Sequence, residues 1–518
     1  MNGLPMLTLL TAIPLIGGLV IVGLRSDQRS LARWLGLGFA FAALALSLLL
    51  WHKFNPAVGG LQFEERHAWI PSLNVEYRLG VDGLGLLMLV LSAIVVPMGM
   101  AASWKIEERV PLHFALVLFL QTGLFGAFTA LNFFHWFIFW ELSLIPAFFL
   151  IKLWGGPEAS AAATQFLVYT IAGSVTLLLS FLAIFLCTGK LDFIQLAEMG
   201  RSGTLTAALS NGLGWRELNS RPLALIIFGG AFLGFAVKVP LMPFHAWLPP
   251  AYAEAPTGTT MLLTGAMSKM GVYGFLRILW PIFPEEVQWV LTPLLWLTVI
   301  SIVFSASAAC VQRDLKRVLA FSSINHLGYC LLGLLAAAKF SGIAAPTAAA
   351  KASALSGVLL QMFNHGLTAA TLFWFVGLLE QRAEGARGIN DFGGLRKILP
   401  VFCGLMGVAL FSSLGLPGLN GFIGEFLIFR GAFALVTWAT ALSVLGLLLT
   451  AIFILTILQR VFSGPLNQRW ATMPDLTWTE RLLLAPCLVL MLVLGVYPQV
   501  VLGVINSTVM QMVKEGTF

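Results

Sequence analysis

The sequence predicts an all-α polytopic membrane protein, one membrane domain of about fourteen transmembrane helices with two inverted repeats, each containing a broken helix. Three observations predict it. Of 518 residues, 58% are hydrophobic and only 10% charged, with a mean hydropathy of +0.90. Apolar runs long enough to cross ~30 Å of hydrocarbon recur from end to end. Two of those runs are interrupted by proline beside a charged residue. A membrane barrel would instead show ~10-residue segments of alternating hydrophobicity.

The spans follow in order. Residues 4–24 and 31–51 are separated by a short basic turn, and MNGLPMLTLL lacks the basic start of a cleavable signal. A long polar loop, 52–81, precedes spans at 82–103, 112–131, 132–153 and 162–187. A second long loop, 188–222, precedes 223–246, 257–278, 287–308, 318–337 and 353–379. Two half-length pieces share 397–437, and spans at 439–459 and 481–505 complete the series. The expected organisation is a group of N-terminal helices (1–111), a first repeat (112–278), a second, inverted repeat (287–460) and a C-terminal helix (461–518).

The net charge of +7 has a topological cause rather than a nucleic-acid one. With the N-terminus outside, the inner loops carry most of the Lys and Arg, including Arg25, Arg29, Arg33, Lys105, Arg109, Lys152, Arg313, Lys316 and Arg317. The short outer segments carry Arg277, Lys339, Lys351 and Lys514. The positive-inside rule then puts both termini on the positive side, periplasm or lumen. The five cysteines are scattered with no CxxC, so the expectation is buried thiols and neither metal nor iron–sulfur centre.

Three cations remain inside spans: Lys238, Lys269 and Arg430. Glu141 in FWELSLIPAFF and Glu425 in GLNGFIGEF join them, as do His326 in SSINHLGYC and His365 in QMFNHGLTAA. A charge at mid-bilayer costs ~2.5–3.5 kcal/mol on insertion scales, so such residues face a bundle interior or wet cavity. Arg430 could instead reach an interface. Gln361, His365 and Thr368 share one helical face, and Ser322 and Ser323 precede His326 by one turn. Polar stripes of this kind belong inside the protein.

The prolines bear on the same residues. In GFAVKVPLMPFHAWL, Pro240 and Pro243 lack the N–H groups that Ala236 and Val239 carbonyls need, so the helix should break just past Lys238. Freed carbonyls at membrane depth require a wet or protein-lined cavity. SSLGLPGLNGFIGEF repeats the device with Pro417 and four glycines before Glu425. The breaks fall in the seventh and twelfth spans. That odd separation would invert one copy relative to the other, an architecture common in ion transporters.

The stretch GFAVKVPLMPFHAWLPPAYAEAPTGTTMLLTGAMSKMGVYGFLRI resembles the core signature of the antiporter-like, proton-conducting subunits of respiratory complex I. FWELSLIPAFFLI, SSINHLGYCLLG, QMFNHGLTAATLFW and GLPGLNGFIGEF match further blocks in the same order, over nearly the whole chain. Glu425 resembles the M type, whose second broken helix carries glutamate where the L and N types carry lysine. An end at Phe518 fits too, since the L type adds a long lateral helix.

The resemblance implies roles for these residues. Glu141 is the acid of the first half-channel and Lys238 its pair partner. Lys269 is the central relay lysine, His326 and His365 carry protons onward, and Glu425 is the terminal acid. His245 is a candidate for proton uptake from the inner side. WLPPAYAEAP departs from the family's usual WLPDAHTEAP at Pro250 and Tyr252, and Arg430 replaces an uncharged residue.

No nucleotide fingerprint or P-loop is present, so no cofactor is expected in this chain. Its implied partners are the lipid bilayer, L-type and N-type membrane neighbours, and a redox arm. The implied activity is proton translocation in an NAD(P)H or ferredoxin:quinone oxidoreductase, in a bacterial inner membrane or a cyanobacterial thylakoid. Subunits of Mrp-type cation/proton antiporters and of membrane-bound hydrogenases share the pattern, and a carbon-dioxide-uptake form is a further variant.

Overall fold

The computed structural model describes residues 4–73, 75–212, 220–340 and 345–514. Phe518 and the end of the second long loop, 213–219, lie outside the described residues. Helices α1 (Met6–Val22) and α2 (Arg29–Lys53) form an outer pair. The first long loop then builds an antiparallel ribbon, β1 (Gln62–Ile70) and β2 (Val75–Val81), with Gln62 opposite Val81 and Ile70 opposite Val75. Its polar side chains dock it on α1: Glu65 accepts from the Leu7 N–H at 2.7 Å, and the Tyr77 hydroxyl meets Thr8 at 2.6 Å.

Short polar residues start the next helices by accepting otherwise orphaned N–H groups. Asp82 caps α3 (Gly83–Ala102) and Asn132 caps α5 (Phe133–Trp154). Between them runs α4 (Val110–Thr129), and α6 (Ala159–Thr188) follows. The second long loop folds into α7 (Phe193–Arg201, capped by Asp192) and α8 (Thr204–Gly212). Next comes α9 (Ser220–Lys238), which packs on α6, and the half-helix α10 (Leu248–Glu254).

The span expected at 257–278 is not a plain α-helix. It is α11 (Thr257–Leu262), a π turn at Leu263–Met267, α12 (Lys269–Gly274), a second π turn at Phe275–Leu279, and α13 (Trp280–Ile282). A short α14 (Pro284–Trp289) leads to α15 (Leu291–Val311), α16 (Leu315–Ala338, capped by Asp314) and the long α17 (Ala345–Arg382). The second broken span is α18 (Pro400–Leu414) and α19 (Asn420–Leu435). Then come α20 (Thr437–Ile457), α21 (Trp478–Val496) and α22 (Gln499–Lys514).

Among the described residues, eleven helices are long and apolar enough to cross a membrane, and α1 and α18 are shorter apolar helices. The core lies along α3, α4, α16 and α17, whose apolar windows are 89–100% buried, against 28% for α2. In lipid the apolar side chains gain little from meeting one another, so burial there reflects packing and polar contacts.

Several expectations need correction. The last span ends at Val496. Residues 499–514 form a separate amphipathic helix lying on α3 and α17, where Thr508 accepts from the Gly83 N–H at 3.0 Å. Arg277, assigned to an outer loop, is inside the second π turn and pairs with Asp82. Lys316 and Lys351 are buried on α16 and α17 rather than free in loops. Arg430 is exposed on α19, away from the buried polar chain.

Candidate functional site

The α9 helix ends at Lys238, as the proline argument expects, but the freed carbonyls are not left for solvent. Ala236 O, denied its partner by Pro240, accepts the next N–H along, that of Leu241, at 2.7 Å. Val239 already lies beyond the helix, so Pro243 (after a cis peptide bond) removes no helical hydrogen bond from it. The Trp247 indole closes the end by donating to Val237 O at 2.9 Å. The break is therefore a protein-satisfied cap.

Lys238 is buried at that cap, its ammonium 4.7 Å from the centre of the Trp140 ring. Trp140 is fixed by its indole hydrogen bond to Ser174 at 3.0 Å. Glu141 lies within electrostatic reach of Lys238 but forms no direct ion pair with it. The Glu141 Oε1 atom is buried with no hydrogen-bonding partner among the described residues. The implied Glu141–Lys238 pair is thus open here, and the aromatic face holds the cation instead.

Lys269 is fully buried, and the π turn before it explains how an ammonium is tolerated there. In that turn the Ser268 N–H bonds back to Leu263 O instead of Thr264 O. The Thr264 carbonyl accepts from Lys269 Nζ at 2.5 Å, with Ser268 Oγ at 3.4 Å. A π bulge inside an α-helix often marks a functional site. On its other side, Lys269 Nζ is 2.8 Å from His365 Nδ1.

From His365 the chain continues. The His365 and His326 rings have centroids 5.3 Å apart. His326 Nδ1 is 2.8 Å from Glu425 Oε1, and its Nε2 is 3.1 Å from Ser413 Oγ. Gln361 donates to the same Glu425 oxygen at 3.1 Å. That reach is possible because α19 presents Gly424 to α17: a Cβ there would lie 3.1 Å from the Gln361 Cα. Four residues on four elements, α12, α17, α16 and α19, form one buried line of titratable groups.

The second break supplies further neighbours, of which the sequence reading missed Ser412, Asn420 and Asn364. Gly415 and Gly418 adopt φ of +81° and +92° and turn the chain between α18 and α19. Across the turn, Ser412 donates to Asn420 Oδ1 at 2.5 Å, and Asn364 Nδ2 donates to Asn420 O at 2.6 Å. Thr368 meets Ser412 at 3.1 Å. Pro417 sits in this turn. The signal for Asn420 was present in GLNGFIGEF, but asparagine beside glycine reads as turn chemistry. His245 lies apart from the line, against Phe304 at 5.4 Å between ring centroids, with Nδ1 buried and unpartnered among the described residues.

Among the described residues no cluster of His, Cys, Asp or Glu could hold a metal ion. The five cysteines are free thiols.

The family model for the membrane subunits of NADH:quinone oxidoreductase and Mrp antiporters matches residues 130–453. This chain belongs to that family. It is 34% identical to NADH-quinone oxidoreductase subunit M of Rhodobacter capsulatus, covering 98% of this chain and 96% of the relative. It is 33% identical to NAD(P)H-quinone oxidoreductase chain 4 1 of a Nostoc strain, covering 96% and 89%. It is 34% identical to F(420)H(2) dehydrogenase subunit M of Methanosarcina mazei, covering 98% and 97%.

In three dimensions the chain superposes on a chain of respiratory complex I from Thermus thermophilus with a TM-score of 0.82 at 27% identity, covering 98% and 99%. A chain of the Mrp complex from Dietzia gives the same TM-score at 19% identity, covering 98% and 96%, a likeness of fold alone. The NADH:quinone oxidoreductase/Mrp family thus accounts for the all-helical architecture expected from sequence.

Proposed function

We propose that the chain is the M-type proton-translocating subunit of a complex I-like quinone oxidoreductase, working beside L-type and N-type membrane neighbours and a redox arm. The observation that carries this reading is the buried line Lys269–His365–His326–Glu425, with each titratable group next to another. A buried amine that alternates between charged and neutral forms can receive and release a proton, whereas a guanidinium cannot. Lys238 and Glu141 form the first half of the route, with Lys238 able to swing between the Trp140 face and the Glu141 carboxylate. Residues 112–278 and 287–460 are the two inverted halves, both termini lie on the positive side, and the chain itself holds no cofactor.

The names of the relatives supply the quinone-linked setting, and the glutamate on the second broken helix, Glu425, supports the M type over the antiporter alternative. Lys269→Ala should reduce proton translocation by about tenfold or more while the complex still assembles. Lys269→Arg should fail to restore it. Proton uptake by vesicles holding the assembled complex is the measurement, and a wild-type rate for Lys269→Ala would refute the relay. A parallel sodium-flux assay separates this reading from cation/proton exchange: sodium moving in exchange for protons would favour the antiporter.

A further inference from the structure

Two polar side chains follow Lys269 along its own helix. Tyr273 and Arg277 come at four-residue steps, so the three stand about a turn apart. At the usual helical rise Arg277 lies ~12 Å further along the axis than Lys269. Beyond Arg277 the protein opens to water. A cavity of about 250 Å³ lies on the membrane face that carries the ribbon β1–β2, lined by Glu64, Arg78, Asp82, Phe193, Arg277 and Thr508 among others.

The layer between that cavity and Lys269 is tightly held. The Arg277 guanidinium pairs with Asp82, and its carbon lies 5.9 Å from the centre of the Tyr273 ring. Asp82 also accepts the Gly85 N–H at 3.0 Å as the cap of α3. The α3 N-terminus therefore adds positive potential on the far side of the carboxylate. Tyr273 is buried and donates its hydroxyl to Phe128 O at 3.2 Å. The Arg277 Nε atom is buried with no hydrogen-bonding partner among the described residues. Buried donors are nearly always paired, so a simple brace between α3 and α12 is a poor use of this guanidinium.

We propose that Arg277, held by Asp82, is a barrier that keeps protons on the ribbon face from reaching Lys269 from behind. A relay lysine that fills from both faces at once dissipates the gradient it should build. An arginine suits a barrier and not a relay, because its guanidinium does not release its proton. A fixed positive group at a constriction excludes protons and cations from a pore. The Tyr273 hydroxyl, committed to Phe128 O, offers no bypass. No bond is made or broken in this role. Arg277 touches no reacting atom and is a positioning residue.

This inference rests on the Lys269 relay proposed above. The experiment places the assembled complex in vesicles with no quinone turnover and applies an acid pulse to the ribbon face. Proton entry is read from a pH-sensitive dye on the other side. Arg277→Gln should raise entry several-fold over the parent, and Arg277→Lys, which keeps a cation in place, should stay near the parent. Combining Arg277→Gln with Lys269→Ala should return entry to the parent rate, because the leak runs through the lysine. A merely structural role would lower the unfolding temperature of Arg277→Gln without a leak that Lys269 controls. If Arg277→Gln does not assemble, Asp82→Asn keeps a residue suited to capping α3 while releasing the guanidinium, and is read in the same way. Parent-level entry in the assembled variant would overturn the barrier, as would a leak that persists in the double variant. Either result leaves the relay standing, which falls only if Lys269→Ala alone pumps at the wild-type rate.

Discussion

At the scale of single residues, the sequence located the titratable groups and the structure decides which of them meet. Lys269, His365, His326 and Glu425 were recognisable because polar residues in apolar runs are costly and recur at helical spacing. The resemblance implied their order from Lys269 to Glu425, but not that His365 meets Lys269 and His326 meets Glu425, since that depends on helix pairing and a π turn that no local pattern encodes. Glu141 shows the limit most clearly. It was expected to hold Lys238 in an ion pair, but Lys238 rests on the Trp140 ring, a contact that apolar periodicity disguises as core packing. Glu141→Gln therefore removes no direct salt bridge, so the melting temperature of the complex should hardly move. Proton uptake should still fall several-fold, because the amide cannot exchange a proton with Lys238. Glu141→Asp should retain much of the rate. A wild-type rate for Glu141→Gln with loss in Glu141→Asp would show that packing at 141, not its charge, matters.

At the scale of elements, both broken helices were legible from proline and glycine, while the means of closing them were not. The first is closed by the Leu241 N–H and the Trp247 indole, both supplied from beyond the break. The second rests on two left-handed glycines. Space around Gly418 is open, so Gly418→Ala should cost only its backbone strain, about 1–2 kcal/mol, and lower the unfolding temperature slightly. Gly418→Asn, which tolerates that conformation better, should cost less; equal stability of Gly418→Ala and the parent would contradict the turn assignment. The ribbon β1–β2 and the helix α22 escaped the sequence reading for a common reason. Hydropathy detects apolar runs: the ribbon lies in a polar loop, and the start of α22 was merged with the last span although α22 is a separate helix held by contacts such as Gly83 to Thr508.

At the scale of the whole molecule, one arginine joins elements that lie far apart in the chain. Arg387, in the loop after α17, reaches Asp314 at 2.5 Å, Glu254 at 3.0 Å and Glu380 at 3.5 Å, and Lys316 meets Glu380 at 2.7 Å. It also donates to Ala253 O at 2.7 Å, so α10 is tied to α16 and α17 at one membrane face. Burial works against the Arg387 cation, but Asp314, then Glu254 and Glu380, raise its pKa above the ordinary arginine value. A raised cation contributes its stability fully below the ordinary arginine pKa and loses it only above, so this clamp should not weaken through arginine titration near neutral pH. Arg387→Ala removes the cation shared by Asp314 and Glu254 and leaves Glu380 with Lys316. The cost should be about 1–3 kcal/mol, between the values for exposed and buried pairs, seen as a lower unfolding temperature of the purified complex. An unchanged unfolding temperature would show that the network is solvated and does not brace α10 against α16 and α17.

These scales meet at His365, which touches Lys269 on one side and lies beside the tilted ring of His326 on the other. If protons pass along the buried line, they must pass this imidazole. His365→Gln preserves a hydrogen-bonding side chain of similar reach while removing a group that can hold and hand on a proton. The direct measurement is the number of protons taken up per quinone reduced, in vesicles containing the assembled complex with His365→Gln. A clear fall in that ratio, with quinone reduction still coupled to assembly of the complex, is the expected result. An unchanged ratio would contradict the buried line as the path of the protons.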